Sequence, residues 1–343
     1  MTAGPGAVSF DFHGCRLDFL SDSPRLAADI AEDFAYFRTA AASPPAITIN
    51  ALLRPPAAPA AGAPGPVLKT PRCAILKSAP HTRTVWYPEG ALCVYDYRLK
   101  SGSVASGDGA LLWELSYLLI LSRVGEELER AGLHRAHAAA FTYGGAGVLL
   151  AGAPGAGKTT LLLEILKDGG AALLADDTPL VGRGGRLCAF PLRFGLAAGS
   201  PHLAGLPPGA LRSFKRRGYP AKNLVSPAAL GLGIAPAAKA GHFFLLKKTK
   251  AAAPVIRKLA PYGAAAELFT GLVAGYGVPQ IAEYFLRLDI KDIAGKAGLL
   301  RSRAAAAASL WSGCGFHVLE LSENAPLNAA RLKEFLGRRT LKA

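Results

Sequence analysis

The sequence predicts an α/β fold in which a phosphate-loop (P-loop) domain follows a smaller mixed α/β unit. Three observations carry that expectation. Gly152-Ala153-Pro154-Gly155-Ala156-Gly157-Lys158-Thr159 matches the pattern G-x-x-x-x-G-K-[ST] at every position. It is preceded by the short apolar run Gly147 to Ala151, suited to a buried strand, and followed by Thr160 to Lys167, whose apolar spacing is helical up to Gly169. Upstream, period-two alternation and turn residues mark several short strands ahead of a Ser/Gly-rich break at Ser101 to Gly109. The boundary is therefore placed near residue 104, giving a mixed unit over 1–104 and a phosphate-loop domain over 105–343.

The first unit opens with alternation in Val8 to Phe12 and again in Cys15 to Phe19, split by His13-Gly14, which reads as a hairpin. Ser23 can cap a following helix, with Pro24 in its first turn and Leu26, Ile30, Phe34 and Phe37 as an apolar stripe. Ala46 to Asn50 is a strand, and the Ala/Pro/Gly-rich stretch from Pro55 to Pro66 a loop or linker. Strand signals resume at Cys73 to Leu76, Arg83 to Trp86 and Ala91 to Tyr97.

In the second part Leu111 to Arg130 has near-helical apolar spacing, stopped by Gly132. Arg135 to Thr142 reads as a strand, and Tyr143-Gly144-Gly145 turns the chain into the strand before the glycine loop. Beyond the loop's helix, Ala171 to Ala175 is a buried strand ending in Asp176-Asp177. His242 to Leu246 and Gly315 to Leu321 read as strands, and Ala264 to Leu272, Ile281 to Leu288, Arg301 to Leu310 and Leu327 to Leu336 as helices. His317, alternating with apolar residues, is expected to be structural or exposed.

The loop's chemistry follows from its residue types. Glycines let successive backbone N–H groups turn inward on phosphate oxygens, Lys158 puts a point charge at the β- and γ-phosphates, and Thr159 offers its hydroxyl to Mg²⁺. A nucleoside triphosphate and Mg²⁺ are thus the expected ligands, held by Gly152, Ala153, Pro154, Gly155, Ala156, Gly157, Lys158, Thr159 and the next residue, Thr160. An apolar strand ending in aspartate beyond such a loop is the expected form of a second Mg²⁺ contact. Two in tandem provide one carboxylate for the metal and one to take a proton from an attacking hydroxyl. Asp176, which ends the strand directly, is assigned to the metal and Asp177 to the base, although spacing does not settle the order.

Composition bounds the partners. A chain of 343 residues, 51% hydrophobic, can bury a sizeable core in one large or two modest domains. Five widely spaced cysteines without a C-x-x-C pair indicate neither a zinc site nor a disulfide framework and fit a reducing cytoplasm. The start of the chain carries Asp11 and Asp18 where a signal peptide would be basic and apolar, and Glu114 interrupts the apolar run Leu111 to Leu121, so neither a signal peptide nor a membrane span is expected. The formal charge of +15 admits nucleic acid or acidic substrates. Apart from Lys215-Arg216-Arg217 and Lys247-Lys248 with Lys250 the basic residues are scattered, and no nucleic-acid module accompanies them, so nucleic acid is disfavoured. Lys215 to Arg217 with Lys222 could attract an acidic peptide if they border the glycine loop, though such runs are usually solvated faces. A homo-oligomer is left open.

The segment His137-Ala138-Ala139-Ala140-Phe141-Thr142-Tyr143-Gly144-Gly145 leading into Gly147 to Thr159, continued to Leu174-Ala175-Asp176-Asp177, resembles the catalytic domain of HPr kinase/phosphorylase and its HPr kinase-like relatives. The resemblance implies a kinase domain related in fold to phosphoenolpyruvate carboxykinase. It also implies ATP- and Mg²⁺-dependent transfer to a protein serine, with His137, Lys158, Asp176 and Asp177 around the transferred group. It covers His137 to Asp177 only; Phe190 to Gly195 looks more like the diverged relatives. Thr160 stands where the family has Glu, and Leu230-Gly231-Leu232-Gly233-Ile234 echoes the glycines of the family's Glu-x-Arg-Gly signature without its Glu or Arg. Those departures remove the basis for expecting phosphorolysis or HPr itself as substrate. A small-molecule kinase, or a P-loop ATPase or nucleotide sensor that binds nucleic acid, are the alternatives. A GTPase or transporter motor lacks its Asn-Lys-x-Asp or Leu-Ser-Gly-Gly element.

Overall fold

In a computed structural model, which describes residues 6–40, 44–57, 66–76, 81–214, 221–276 and 293–340, the chain is mixed α/β with several mixed sheets. Its contacts divide it into two units, Met1–Leu128 and Glu129–Ala343.

In the first unit the alternating residues form β1 (Ala7–Phe12) and β2 (Cys15–Ser21), antiparallel and joined through His13 and Gly14 at φ 55° and 91°. Two successive positive φ values suit a two-residue hairpin turn, whose twist matches that of the strands. With β3 (Arg38–Thr39), β4 (Ile47–Leu52), β5 (Leu68–Lys69), β6 (Ala74–Leu76), β7 (Thr82–Tyr87), β8 (Ala91–Asp96) and β9 (Ser101–Ser106) they make a sheet of order β3-β1-β2-β4-β9-β8-β7-β6-β5. Helix α1 (Pro24–Asp33) is capped by Ser23 Oγ, which accepts from Leu26 N at 3.3 Å. The helix ends before Phe34 and Phe37, yet both are buried, Phe34 edge-on to Phe10 and Phe12.

The Ser/Gly-rich break proves to be structured. Ser101 to Ser106 form β9, parallel to β4 and antiparallel to β8, because its small residues suit a crowded face: a Cβ on Gly102 would lie 2.7 Å from Tyr95 Cδ2 and 3.1 Å from Val94 O. Helix α2 (Gly109–Arg130) follows, and most of it falls in the unit Met1–Leu128. Trp113 Nε1 donates to Asp33 Oδ2 at 2.6 Å, Tyr117 stacks on Phe34, and the Arg123 guanidinium lies 5.0 Å from both the Tyr95 and Tyr97 ring centres.

The second unit contains β10 (His134–Arg135), β11 (Ala138–Tyr143), β12 (Ala146–Ala151), β13 (Ala171–Ala175), β14 (Leu180–Val181), β15 (Arg186–Cys188), β16 (Phe194–Leu196), β17 (Arg212–Phe214), β18 (Lys222–Val225), β19 (Ala237–Lys248), β20 (Val255–Lys258) and β21 (Gly315–Leu321). Its main sheet runs β10-β14-β15-β19-β12-β11-β13, with β21 also on β19 and β20 on β21; β16, β18 and β17 form a small separate sheet. Helices α3 (Lys158–Leu166) and α6 (Ala325–Thr340) share one core with Val148, Leu150 and Phe244. Helices α4 (Pro261–Leu268), its π-helical continuation Phe269–Val273, and α5 (Ile293–Gly313) share a second with Leu149, Ala151 and Phe243, the alternate residues of the same strands. Strands covered on both faces need an apolar run, which β12 has.

Two expectations are corrected here. The single strand Arg135 to Thr142 is two strands: β10 pairs with β14, β11 pairs with β12, and the chain breaks at Ala136-His137, where Ala138 N donates to the carbonyls of both Ala136 and Asp177. The strand at His242 to Leu246 begins earlier, at Ala237, since its first residues pair with β15. His317 is buried, stacked on Phe244 with ring centres 5.1 Å apart. The expected helix at Ile281 to Leu288 and the cluster Lys215-Arg216-Arg217 lie outside the described residues.

A buried ionic cluster lies within the second unit. Glu129, in the last turn of α2, lies 2.6 Å from His134 Nδ1 and accepts from Arg303 Nη1 at 2.5 Å and from the Arg135 amide at 3.1 Å. Arg303 of α5 also donates to the carbonyls of Arg135 and Val273. Burial raises the pKa of Glu129, but the His134 hydrogen bond and the Arg303 charge outweigh it and hold the carboxyl below its ordinary range.

Candidate functional site

Strand direction decides what meets at one end of the second unit's sheet. Strand β19 is parallel to β12 and β21 is parallel to β19, while β11 is antiparallel to both β12 and β13, so β13 runs the same way as β12. The ends of β12, β13 and β19 and the beginning of β11 therefore share one edge. These points carry the glycine loop, Asp176-Asp177, Lys247-Lys248 and His137 respectively.

The loop leaves β12 through Gly152 at φ 153°, where a Cβ would lie 3.1 Å from Leu246 O of the neighbouring strand. Gly157, at φ 97°, starts α3 with no side-chain cap, so the first-turn amides of the helix face outward unmatched by any side chain. Gly155, also at positive φ, has open space where a Cβ would project. A backbone so shaped presents N–H groups and a helix N-terminus to an anion.

Lys158 is buried and folds back over this loop, its Nζ donating to Gly152 O at 2.7 Å and Ala153 O at 3.3 Å. His137 Nε2 is 3.3 Å from the same Nζ. Burial pulls the lysine below its ordinary pKa, offset in part by the charges of Asp177 and Asp176. His137 Nδ1 lies 3.1 Å from Asp177 Oδ1, within ion-pair range but off the line of a hydrogen bond. The Asp177 side chain is 64% exposed and that of His137 only 15%.

Asp176 has a different environment. Its Oδ1 is shielded from solvent without a hydrogen-bond partner, while the Thr159 hydroxyl hydrogen-bonds the carboxylate. Burial pushes its pKa up to about 7; the Thr159 bond and the charges of Lys158 and Lys222 oppose that rise, and Asp177 adds to it. A hydroxyl beside a carboxylate with a spare oxygen is an all-oxygen donor set, the kind a hard divalent cation takes.

All the candidate residues named from the sequence lie on this edge except that Thr160 is exposed in the first turn of α3, where its side chain meets none of the others in a recorded bond. Two further cations act at the site: Lys248, expected only as part of a basic run, and Lys222, considered only with Lys215 to Arg217 for attracting an acidic peptide. Lys248 reaches the loop: a Cβ on Gly157 would sit 3.9 Å from its Cε. Lys222, at the start of β18, acts electrostatically on Asp176 and lies over Gly195, whose added Cβ would be 3.2 Å from the Lys222 Cδ. Lys248 could have been found only from the register Leu245 to Ala151, which residue types do not reveal. Neither a scan of protein-family models nor a search of curated proteins finds a match to this chain.

Proposed function

We propose that the chain is an ATP- and Mg²⁺-dependent phosphotransferase that moves the γ-phosphoryl group to a hydroxyl acceptor, favouring a serine in a peptide or protein. The observation that carries this reading is the meeting of Lys158, His137 and the Asp176-Asp177 pair beside an uncapped helix N-terminus, with Asp176 Oδ1 shielded and unmatched. A P-loop kinase fold of the HPr kinase-like type, which the sequence resemblance implies, belongs to the same proposal.

The residues fit a magnesium ion: Thr159 and Asp176 would hold it, Asp176 through the oxygen that has no other partner. When bound, the ion would supply Lewis-acid neutralisation of the phosphate charge. The loop amides and Lys158 hold the β- and γ-phosphates, for which Lys158 gives up its contacts with Gly152 O and Ala153 O. Asp177, exposed and facing His137, takes the proton of the acceptor hydroxyl as its oxygen bonds to the γ-phosphorus. The bond from that phosphorus to the β,γ-bridging oxygen breaks, and ADP leaves with the electron pair. His137 stays between Lys158 and Asp177 and orients the carboxylate. The test is transfer of ³²P from γ-labelled ATP to serine peptides, with mass spectrometry locating the label. Phosphate release without any labelled acceptor would favour an ATPase.

A further inference from the structure

A cavity of about 350 Å³ opens beside His137 and the first residues of the glycine loop, Gly152 to Pro154. Its floor is buried and apolar: Leu149, Phe243, Leu268, Leu272 and Leu310 line it. Thr270, Gly271 and Leu272 of the π-helical stretch line it, and such an irregularity recurs at functional sites. Among the described lining residues Glu267 is the one carboxylate and there is no lysine or arginine, although the charge of Lys247 acts on Glu267 from outside the lining.

Position argues for what enters. A loop lysine reaches the β- and γ-phosphates, and Asp177, the base of the phosphotransfer reading, has its Oδ1 3.1 Å from Nδ1 of His137, which lines the cavity, so the γ-end of a triphosphate faces His137. The cavity is continuous with that end. A nucleoside would leave the loop on the far side of the β-phosphate, whereas an acceptor must approach the γ-phosphorus from the side opposite the leaving oxygen.

Resting on the phosphotransfer reading, we propose that this cavity seats the acceptor, a peptide serine flanked by one apolar residue and a basic group, the apolar side chain on the leucine floor and the cation on Glu267. The volume suits one large side chain, and the carboxylate opposes acidic sequences, in contrast to the acidic docking considered for Lys215 to Arg217.

The test uses the full chain, its Gly271→Leu and Glu267→Gln variants, and two probes, acetyl-Arg-Leu-Ser-Gly-amide and acetyl-Asp-Asp-Ser-Gly-amide. Gly271 lines the cavity and a Cβ there meets nothing within 4 Å, so added bulk enters the cavity without a clash at its root; Glu267→Gln keeps the shape. Calorimetry reads peptide binding with and without a non-hydrolysable ATP analogue, and a fluorescent ATP derivative reads nucleotide affinity. The expected result is at least tenfold tighter binding of the Arg-Leu peptide, lost in Gly271→Leu and reduced in Glu267→Gln, with nucleotide affinity unchanged in both. Equal binding of the two peptides, or weakened nucleotide binding in Gly271→Leu, overturns the proposal. Failure of the wild-type chain to bind Mg-ATP would instead overturn the phosphotransfer reading, and the peptide titration without nucleotide would still judge the cavity.

Discussion

At the scale of single residues, the proposed phosphotransfer gives Lys158 and the aspartate pair different work, and their substitutions should separate it. Lys158→Ala removes the charge beside the phosphates, so Mg-ATP binding by calorimetry should weaken and ³²P transfer vanish while circular dichroism stays native. Asp177→Asn should keep nucleotide affinity and lose transfer by about 10²–10⁴-fold, the contribution of a general base. Asp176 adds a stability signature in the metal-free protein. Its carboxyl titrates at about 7 when folded and near 3.9 when unfolded. Between those values the folded chain holds a proton that the unfolded chain has lost, so stability falls as pH rises through that window. Asp176→Asn carries no such penalty. Its advantage over wild type in thermal unfolding should grow from pH 4 to pH 7 and level off above, reaching up to about 4 kcal/mol. An advantage that does not change with pH would show that the pKa of Asp176 is not raised in the folded chain.

Secondary-structure elements are where the sequence was most and least legible. The hairpin at His13-Gly14, the Ser23-capped helix and the strand–glycine loop–helix unit announce themselves through local chemistry: positive φ, a capping hydroxyl and an apolar run between turns. Strand β9 does not, because Ser and Gly have weak strand preference and this strand exists through its two neighbours and the side chains above it. Gly102→Val should therefore destabilise the protein by about 1–3 kcal/mol in urea unfolding, through overpacking against Tyr95 and Leu119, despite the higher strand propensity of valine. The break between β10 and β11 was equally hidden, since Ala136-His137 carries no turn residue. Its geometry depends on the cluster around Glu129, and Glu129→Ala, which leaves Arg303 buried and uncompensated, should cost about 3–5 kcal/mol.

Across the whole molecule, the residues of the candidate site fall in one of the two units, Glu129–Ala343. Saturating Mg-ATP at about 100 times its dissociation constant should stabilise that unit by about 2.7 kcal/mol. Hydrogen exchange should slow at the ends of β12 and β13 and the start of α3, while amides in Met1–Leu128 keep their rates. A uniform slowing over both units would contradict a local site. Among the described residues no helix is long and apolar enough to cross a membrane. The net charge of +15 is distributed over the chain, and the cations that reach the site, Lys248 and Lys222, come from separate strands.

The sequence by itself determined the α/β class, the glycine loop with its flanking strand and helix, and the acidic strand end, because each is a local pattern of residue types over fewer than about fifteen positions. Only the tertiary structure decided that His137, 15 residues before Gly152 along the chain, stands beside Lys158, that Asp176 is shielded while Asp177 is open, and that Lys248 joins the loop from β19. The reason is strand order and direction. An antiparallel β11 inserted between two strands of like direction brings the start of one strand to the ends of the others, and pairing partners in a sheet are chosen by packing on both faces, which a linear pattern does not encode.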